Sequence, residues 1–319
     1  MFLFVTGNAP LSSICTKVPS RINIISYVVP QEHRENADTF PFANALRNIV
    51  FGAFLLYCLL PAIWIITAIS KDNSQIFLTF GLWFASPPHF FENLIGLFTV
   101  QDGIFLRWFR NSLLYAGSIT LGSTLICAMG GYVFSKYDFP YKQVLFNFIL
   151  GTIMVPSTAL VFPLFLLLIK VGLVNTMWGI ILPGLVNPFG LYLMKTFWDL
   201  GCPTELIEAS RLEGASEWQI FWRIGLPVMQ NGLVTVALLS FVGSWNNFFF
   251  PLIVLNQENL YPLTLGLNVW NSVGSVAGGR PVYNLIALGS LISVLPLLIA
   301  IIVLGKYWRR GLIAGAIEG

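Results

Sequence analysis

The chain has 319 residues, of which 56% are hydrophobic and only 10% are charged, and its mean hydropathy is +0.77. Soluble globular proteins carry roughly 25% charged residues, so these charges are too few to cover a water-facing surface. The composition excludes a soluble enzyme, a cytosolic binding module and a disordered protein. The formal charge of +3 is too small to indicate a nucleic-acid partner. We therefore expect an all-α polytopic protein whose main solvent is lipid.

Apolar stretches of about 20 residues, the length of a membrane-crossing helix, occur six times along the chain and predict six transmembrane helices. Nothing comparable precedes Ile49, so we expect residues 1–45 to form a polar cytoplasmic extension, without a cleaved signal peptide. Residues 46–319 are then the transmembrane domain. In chain order the six stretches run roughly Ile49–Ile69, Ser112–Phe134, Val144–Ile169, Met177–Phe197, Leu233–Leu255 and Asn284–Gly305.

The positions of Lys and Arg predict the orientation, because cytoplasmic loops carry an excess of these residues. With the N-terminus inside, the inner segments hold 12 of the 17 Lys and Arg residues and the outer segments hold 5. The predicted topology is therefore N-in and C-in, with loop 199–232 in the cytoplasm and loop 256–283 outside. Arg107 and Arg110, just before the second span, run against this trend.

The predicted spans carry neutral polar residues and no acid or base near their middles. An ionisable residue inside the membrane would indicate a proton relay or an ion pathway, so its absence argues against a proton-coupled transporter or an ion pump. Neutral side chains can bond neighbouring helices or line a passage for an uncharged polar solute, and both readings stay open. Because an aromatic face beside amide groups suits a sugar, the candidate substrate pathway consists of Asn187, Trp245, Asn246 and Asn247.

Loop 199–232 concentrates five of the fourteen acidic residues of the chain. Its local pattern predicts two short helices: Pro203 suits a first helical position, Gly214 a C-terminal cap, and Ser216 to Gln219 a capping box. We expect Pro227 to end the second helix. Local physics alone allows either a docking element or a solvated amphipathic loop. The five acids are Asp199, Glu205, Glu208, Glu213 and Glu217.

The spacing within this loop resembles the cytoplasmic E-A-A signature of ABC importer permeases. The signature begins at Glu208-Ala-Ser210 and Gly214 and ends at Ile224-Gly-Leu-Pro227, with Ser210 where the family usually has Ala. From about Asn111 to Gly319 the chain is similar to the carbohydrate-type permeases, including the stretch Gly243-Ser-Trp-Asn-Asn247. The tail from Arg310 to Gly319 is similar to that of the maltose-permease type of subunit.

This resemblance implies the six-helix type I ABC importer permease fold and a set of partners. The partners would be a second permease subunit in a heterodimer, a cytosolic ABC ATPase dimer and an extracytoplasmic solute-binding protein, in the inner or plasma membrane of a prokaryote. The tail 306–319 would lie near the ATPase dimer interface through Gly311, Leu312, Gly315 and Gly319. The ATPase-coupling residues would be Glu208, Ala209, Ser210, Gly214, Ala215, Ile224, Leu226 and Pro227.

No motif in the chain indicates catalysis, so we expect no catalytic residue, no metal site and no bound cofactor. The chain lacks the G-x-x-x-x-G-K-[ST] loop that cradles phosphates, so ATP and Mg²⁺ would be used by the partner ATPase. His33 and His89 are its only histidines, and neither lies in H-E-x-x-H. The alternatives are a permease for glycerol 3-phosphate, a secondary transporter, or a membrane-embedded enzyme acting on lipid-linked sugars.

Overall fold

The computed structural model describes residues 41–274 and 282–316, with side chains for residues 44–274 and 282–305. Most of the predicted extension 1–45 therefore lies outside the described residues. Every regular element in the described ranges is helical, as the composition predicts. The helices are α1 Pro41–Ala68, α2 Asn73–Leu78, α3 Phe90–Thr99, α4 Ile104–Lys136, α5 Lys142–Ile153, α6 Ser157–Lys170, α7 Met177–Gly184, α8 Pro188–Gly201, α9 Thr204–Leu212, α10 Glu217–Gln219, α11 Leu226–Val228, α12 Gln230–Trp245, α13 Phe249–Val254, α14 Leu263–Gly274 and α15 Tyr283–Ala316.

The chain divides into two units, Met1–Leu59 and Leu60–Gly319. In the first unit the described residues form the N-terminal part of α1, whose side chains from residue 45 to residue 59 are exposed and mostly apolar. Exposed apolar side chains on a long helix suit lipid as the solvent. The packing contacts and the candidate site described below belong to the second unit.

Four helical runs among the described residues are long and apolar enough to cross a membrane, namely Asn44–Ala68, Phe90–Lys136, Met177–Gly201 and Tyr283–Gly305. Two further pairs qualify only if each bent pair counts as one span. The first pair, α5 with α6, bends by 103° and corresponds to the third predicted stretch. In the second pair, the segment Glu217–Val228 meets α12 at 79°.

The fifth predicted stretch, Leu233–Leu255, is not one continuous helix. α12 ends at Trp245, and the following apolar residues form the short helix α13. At the break, the side-chain Nδ2 of Asn246 donates to the backbone oxygen of Val242 at 2.9 Å. An Asn amide that bonds a backbone carbonyl in this way competes with the helical hydrogen bonds, which accounts for the helix end at this point.

Helix α4 is the centre of the second unit, with α8 and α12 packed along it. The α4–α8 contact is close: a Cβ at Gly131 would lie 2.8 Å from the backbone nitrogen of Lys195, so only glycine fits. Small residues at a contact let two helix backbones approach. Cys127, on the same helix, is also buried.

The first turns of α4 are tied to the segment Glu258–Tyr261. The indole Nε1 of Trp108 donates to the backbone oxygen of Glu258 at 2.8 Å, and the hydroxyl of Tyr115 donates to that of Leu260 at 2.8 Å. The predicted loop 256–283 therefore begins as an ordered connection. It continues into the amphipathic helix α14, whose Leu263, Leu265 and Trp270 are buried.

Candidate functional site: the loop 199–232 and an adjoining cavity

Loop 199–232 folds into two short helical segments, as its pattern predicts. α9 precedes Gly214, whose φ of +85° lies in the left-handed region that favours glycine. A Cβ at Gly214 would meet nothing within 4 Å, so glycine is required here by backbone conformation and not by space. Ser216 and Gln219 form the predicted capping box, with Ser216 Oγ accepting from the Gln219 N–H and Gln219 Oε1 from the Ser216 N–H.

The second segment ends at Val228, one residue after Pro227, which agrees with our prediction that this proline ends the helix. Before that end, the segment runs through a wide helical turn at Ile220–Gly225. In the wide turn the N–H of Leu226 donates to the carbonyl of Phe221, five residues back. Pro227 is the next-to-last residue of the segment.

The predicted ATPase-coupling residues separate into outward-facing and supporting ones. Ile207 is 1% exposed and Ser210 7% exposed, so these residues form the inner face of α9. Leu212, at 90% exposed, lies on the outer face. Of the signature residues, Glu208, Ala209, Gly214 and Pro227 are exposed, Ala215, Ile224 and Leu226 are half-buried, and Ser210 is buried.

A charged interlock joins both segments of the loop to the end of α4. The Nε of Arg211 donates to Glu217 Oε1 at 2.6 Å, and its Nη2 donates to Oε2 at 3.2 Å. The same Oε2 accepts from the hydroxyl of Tyr132 at 3.2 Å and from the hydroxyl of Tyr137. The guanidinium of Arg211 also lies 5.5 Å from the ring centre of Tyr137, a cation–π distance.

The hydrogen bonds of this interlock shift the pKa values of Arg211, Glu217 and Tyr137, which lie outside the membrane-spanning helices. The Arg211 guanidinium lowers the pKa of the Glu217 carboxyl below its ordinary value, and Glu217 in turn raises the pKa of Arg211. Burial, followed by the bond to Glu217, raises the pKa of the Tyr137 hydroxyl. Glu217 is therefore an anion at neutral pH and accepts hydrogen bonds from Arg211, Tyr132 and Tyr137.

An aromatic cluster under the loop supplies a second connection. The ring centres of Tyr132 and Trp198 are 4.9 Å apart, and those of Tyr132 and Phe221 are 5.5 Å apart. Trp198 is fully buried, and its Nε1 donates to the carbonyl of Ala128 at 3.1 Å. A Cβ at Gly225 would lie 2.5 Å from the Trp198 ring, so the wide turn packs directly on the indole.

Beside these helices lies a cavity of about 290 Å³ between α4, α7, α8 and α12. Of the predicted substrate-pathway residues, Asn187 and Asn247 line it. Trp245 instead packs among buried apolar residues, with its Nε1 donating to the carbonyl of Ser293 at 3.1 Å. Asn246 is exposed and bonds its own helix. The lining consists of Ile119, Ser123, Gly184, Val186, Asn187, Phe189, Leu239, Ser240, Gly243, Ser244 and Asn247.

Asn187 holds the wall of this cavity in place. Its Oδ1 accepts from the N–H of Gly190 at 2.8 Å and so caps the start of α8. Its Nδ2 donates to the hydroxyl of Ser240 on α12 at 3.1 Å. Ser123 on α4 also lines this cavity, although we did not predict it as a pathway residue.

The remaining sequence predictions concern the C-terminal tail and the absence of a metal site. Gly311, Leu312 and Gly315 fall within the backbone range of α15, but their side chains lie outside the described residues, and so does the whole of Gly319. Among the residues that the structure describes, no three His, Cys, Asp or Glu side chains lie close enough together to hold a metal ion.

Comparison with known proteins decides the family. Residues 122–314 match the family model described as "Binding-protein-dependent transport system inner membrane component". The chain belongs to this family. The resemblance that the loop signature indicates is thereby confirmed, and the chain is a non-catalytic membrane component of a transport system.

Relatives of this inner membrane component match it over almost their whole length. The arabinooligosaccharides transport system permease protein AraQ of Halalkalibacterium halodurans is 32% identical over 88% of this chain and 99% of its own. The lactose transport system permease protein LacG of Rhizobium radiobacter is 31% identical over 82% and 91%. The sn-glycerol-3-phosphate transport system permease protein UgpE of Yersinia pestis is 24% identical over 88% and 98%.

A solved structure supports the same fold. It belongs to a bacterial ABC transporter involved in the import of the acidic polysaccharide alginate. One chain of that structure superimposes with a TM-score of 0.75, covering 85% of this chain and 98% of its own, at 21% sequence identity.

Proposed function

We propose that this chain is a permease subunit of an ATP-binding-cassette importer for a sugar, such as an oligosaccharide, a disaccharide or a polyol. It forms half of the translocation pathway, a separate ATPase subunit hydrolyses ATP, and a solute-binding protein delivers the sugar from outside. The observation that carries the proposal is loop 199–232. It exposes Glu208 and Ala209 on α9, a helix that the bond between Arg211 and Glu217 attaches to the rest of the loop. Relatives named for arabinooligosaccharide and lactose transport support the solute class.

The proposed topology has six crossings, with both termini in the cytoplasm of a prokaryotic cell. The pair α5–α6 forms the third crossing, and the stretch Leu233–Leu255, made of α12 and α13, forms the fifth. The segment Glu217–Val228 stays with loop 199–232 at the cytoplasmic surface. Residues 1–45 form the cytoplasmic extension and residues 46–319 the membrane domain. The excess of Lys and Arg in the inner segments, 12 of 17, supports this orientation.

The proposed partners are a second, different permease subunit, a dimer of cytosolic ATPases and the solute-binding protein. The ATPase dimer would receive α9 through the outward residues Glu208, Ala209 and Gly214. The tail 306–319 would lie near the ATPase dimer interface. The cavity between α4, α7, α8 and α12 is not fully enclosed, which suits a pathway completed by a second subunit.

A chain of contacts connects α9 to the helices α4 and α8. Arg211 on α9 holds Glu217, and Glu217 holds the end of α4 through Tyr132. The wide turn packs on Trp198 of α8 through Gly225. Because α4 and α8 both line the cavity, displacement of the loop by the ATPase would change the cavity walls. The signature residues Ile224 and Leu226 serve this route as supports, since both pack on the same apolar cluster.

A permease for glycerol 3-phosphate is the second candidate, because UgpE matches over 88% of this chain. A phosphorylated solute needs a cation to balance its charge. Among the described residues that line the cavity, none is Lys, Arg or His. The neutral lining therefore favours a sugar over a phosphate ester.

Uptake by the reconstituted complex tests the proposal. The chain, purified with its permease, ATPase and solute-binding partners, is placed in liposomes and supplied with radiolabelled arabinotriose, lactose, maltose or glycerol 3-phosphate, with and without internal ATP. We expect ATP-dependent uptake of at least one sugar and loss of sugar-stimulated ATP hydrolysis when the binding protein is left out. Uptake that persists without the ATPase would indicate a secondary transporter. Activity of the isolated chain on a lipid-linked sugar would indicate a membrane enzyme.

A further inference from the structure

Exposed aromatic side chains are concentrated between the first and second predicted spans, where residues 73–91 contain no Asp, Glu, Lys or Arg. Trp83 is 74% exposed and Phe91 is 82% exposed. A large exposed apolar surface marks contact with a membrane or with another protein. We call this surface the aromatic patch, and its members are Phe77, Phe80, Trp83, Phe84, Phe91 and Ile95.

The chain that carries the aromatic patch has a defined structure, and it turns its nearest charges inward. The Oδ1 of Asp72 accepts from the N–H of Gln75 at 2.7 Å and so caps α2. Lys71 is buried, and its Nζ donates to the carbonyl of Phe80 at 2.8 Å. Because both charged groups are bonded within the segment, the surface that it exposes is apolar.

Two predicted spans fix the level of this segment relative to the bilayer. The first predicted stretch ends at Ile69 and the sixth begins at Asn284. Asn93 on α3 bonds both of these residues: its Nδ2 donates to the carbonyl of Ile69 at 2.9 Å, and its Oδ1 accepts from the Nδ2 of Asn284 at 2.6 Å. The N–H of Asn284 also donates to the Oδ1 of Asn73 on α2 at 3.3 Å. Since both stretches end at this point, α2 and α3 belong at the boundary between hydrocarbon and water.

Helix α3 packs one side on the bundle and exposes an apolar side. Asn93 and Leu97, one turn apart, are buried, whereas Phe91 and Ile95, also one turn apart, are exposed. Three consecutive residues with positive φ, 101–103, separate α3 from α4, so α3 does not simply extend the second span. A short helix with an exposed apolar side suits a position in the plane of the interface, where aromatic side chains are enriched.

We propose that segment 73–95 is a membrane anchor whose aromatic patch lies among the headgroups and upper acyl chains of the bilayer, at the surface where α1 ends. The anchor holds the ends of the first and sixth spans, which Asn93 joins, at that surface. A soluble partner would be recognised in part by a polar rim, which a stretch of 19 residues without a charged side chain does not supply. The patch also continues the exposed apolar surface of α1, because a Cβ at Gly81 would lie 3.4 Å from the Trp64 ring.

Quenching of Trp83 fluorescence in the reconstituted complex tests the anchor. The chain, with its permease and ATPase partners, is placed in liposomes whose lipids carry bromine either near the headgroup end or near the methyl end of the acyl chain. The emission lost on Trp83→Phe isolates the Trp83 signal, because all other tryptophans are common to both samples. Since aromatic anchors lie at the level of the headgroups, shallow bromines should quench this signal roughly twofold more than deep ones. The control is Trp270→Phe: the Trp270 indole is 5% exposed, so its signal should respond neither to bromine nor to iodide in the water.

A charge placed in the aromatic patch gives a second test with the same readout. Phe91→Asp puts a carboxylate on the exposed side of α3, and a carboxylate is costly to hold against lipid. The variant should therefore lower the quenching of Trp83 by bromine and raise its quenching by iodide. The matched control is Leu212→Asp, because Leu212 is an equally exposed apolar residue of loop 199–232. This control should leave the Trp83 signal unchanged.

The other possible outcomes overturn the anchor. Quenching of Trp83 by iodide and not by bromine would mean that the patch faces water. Quenching by neither would mean that a protein, such as the second permease subunit, covers it. Stronger quenching by deep bromines would place the segment inside the hydrocarbon layer, and an equal response to Phe91→Asp and Leu212→Asp would mean that the charge acts without regard to the patch. None of these readouts depends on solute uptake, so the anchor and the proposed function are tested separately.

Discussion

Replacing Glu217 by Gln tests the interlock beneath the signature loop with little change of shape. Gln keeps one acceptor oxygen but loses the negative charge. In the unaltered chain the carboxylate oxygens lie 2.6 and 3.2 Å from the Nε and Nη2 of Arg211, and one of them also accepts from the Tyr132 hydroxyl. The Glu217 side chain is 46% exposed, so solvent screens the pair and the range for exposed ion pairs applies. The two-point geometry puts the loss near the top of that range, at about 1 kcal/mol. Such a loss corresponds to roughly a fivefold change in an equilibrium.

A double-mutant cycle that combines Glu217→Gln with Arg211→Gln measures the interaction energy between these two side chains. The assay is solute moved per ATP hydrolysed in the reconstituted complex, with complex assembly as the control. We expect each single variant to lower this ratio about fivefold, and the double variant to be no worse than either single one, because both remove the same bond. If the two single effects add up in the double variant, or if Glu217→Gln leaves the ratio intact, the interlock does not couple the loop to α4.

Three further predictions follow from the same loop. Gly214→Ala forces an L side chain to φ +85° in open space, so it should cost about 1–2 kcal/mol of local order and weaken ATPase stimulation in a reconstituted assay, while Gly214→Asn should be milder. Gly225→Val places a Cβ 2.5 Å from the Trp198 ring and should cost about 1–3 kcal/mol, read as a lower Tm in detergent, whereas Gly151→Val, with nothing within 4 Å, should not. The lowered pKa of Glu217 means that its stabilisation is complete above its ordinary value of 4.5 and is lost as the pH falls through the lowered folded-state pKa. The Tm advantage of the unaltered chain over Glu217→Gln should therefore persist from pH 7 to pH 5 and vanish in stronger acid, and an advantage that vanishes near pH 6 would contradict the assignment.

Interactions between neighbouring residues were sufficient to predict much of the structure of loop 199–232. The left-handed Gly214 and the capping box from Ser216 to Gln219 depend only on neighbouring residues, and both are confirmed. The end of the second segment beside Pro227 also agrees with the prediction, because a proline does not continue a helix. The wide turn at Ile220–Gly225, which changes the hydrogen-bond register, was not predicted. No residue pattern within the segment signals that change.

The features that we did not predict from the sequence depend on contacts between residues far apart in the chain. Tyr137 and Glu217 are 80 residues apart, and only the packing of the loop under α4 brings them together. The same holds for Trp245: its indole is directed by Ser293 on α15 into the core, although its neighbours in sequence suggest a place beside Asn247 in the pathway. Ser123 was not predicted to line the cavity, because only the packing of α4 against α8 and α12 places it in the same wall as Asn187.

Helix α4 has a consequence for how the two sides of the membrane communicate. Its 33 residues make a rod of about 50 Å, longer than the hydrocarbon layer of about 30 Å. One end is bonded to Glu258–Tyr261 and the other to the signature loop. On the proposed topology, the outer loop 256–283, where we expect the solute-binding protein to dock, and the ATPase-docking loop 199–232 thus contact opposite ends of one continuous helix. By thermodynamic reciprocity, whatever factor the nucleotide state imposes on capture of the solute-binding protein, that protein imposes equally on nucleotide binding.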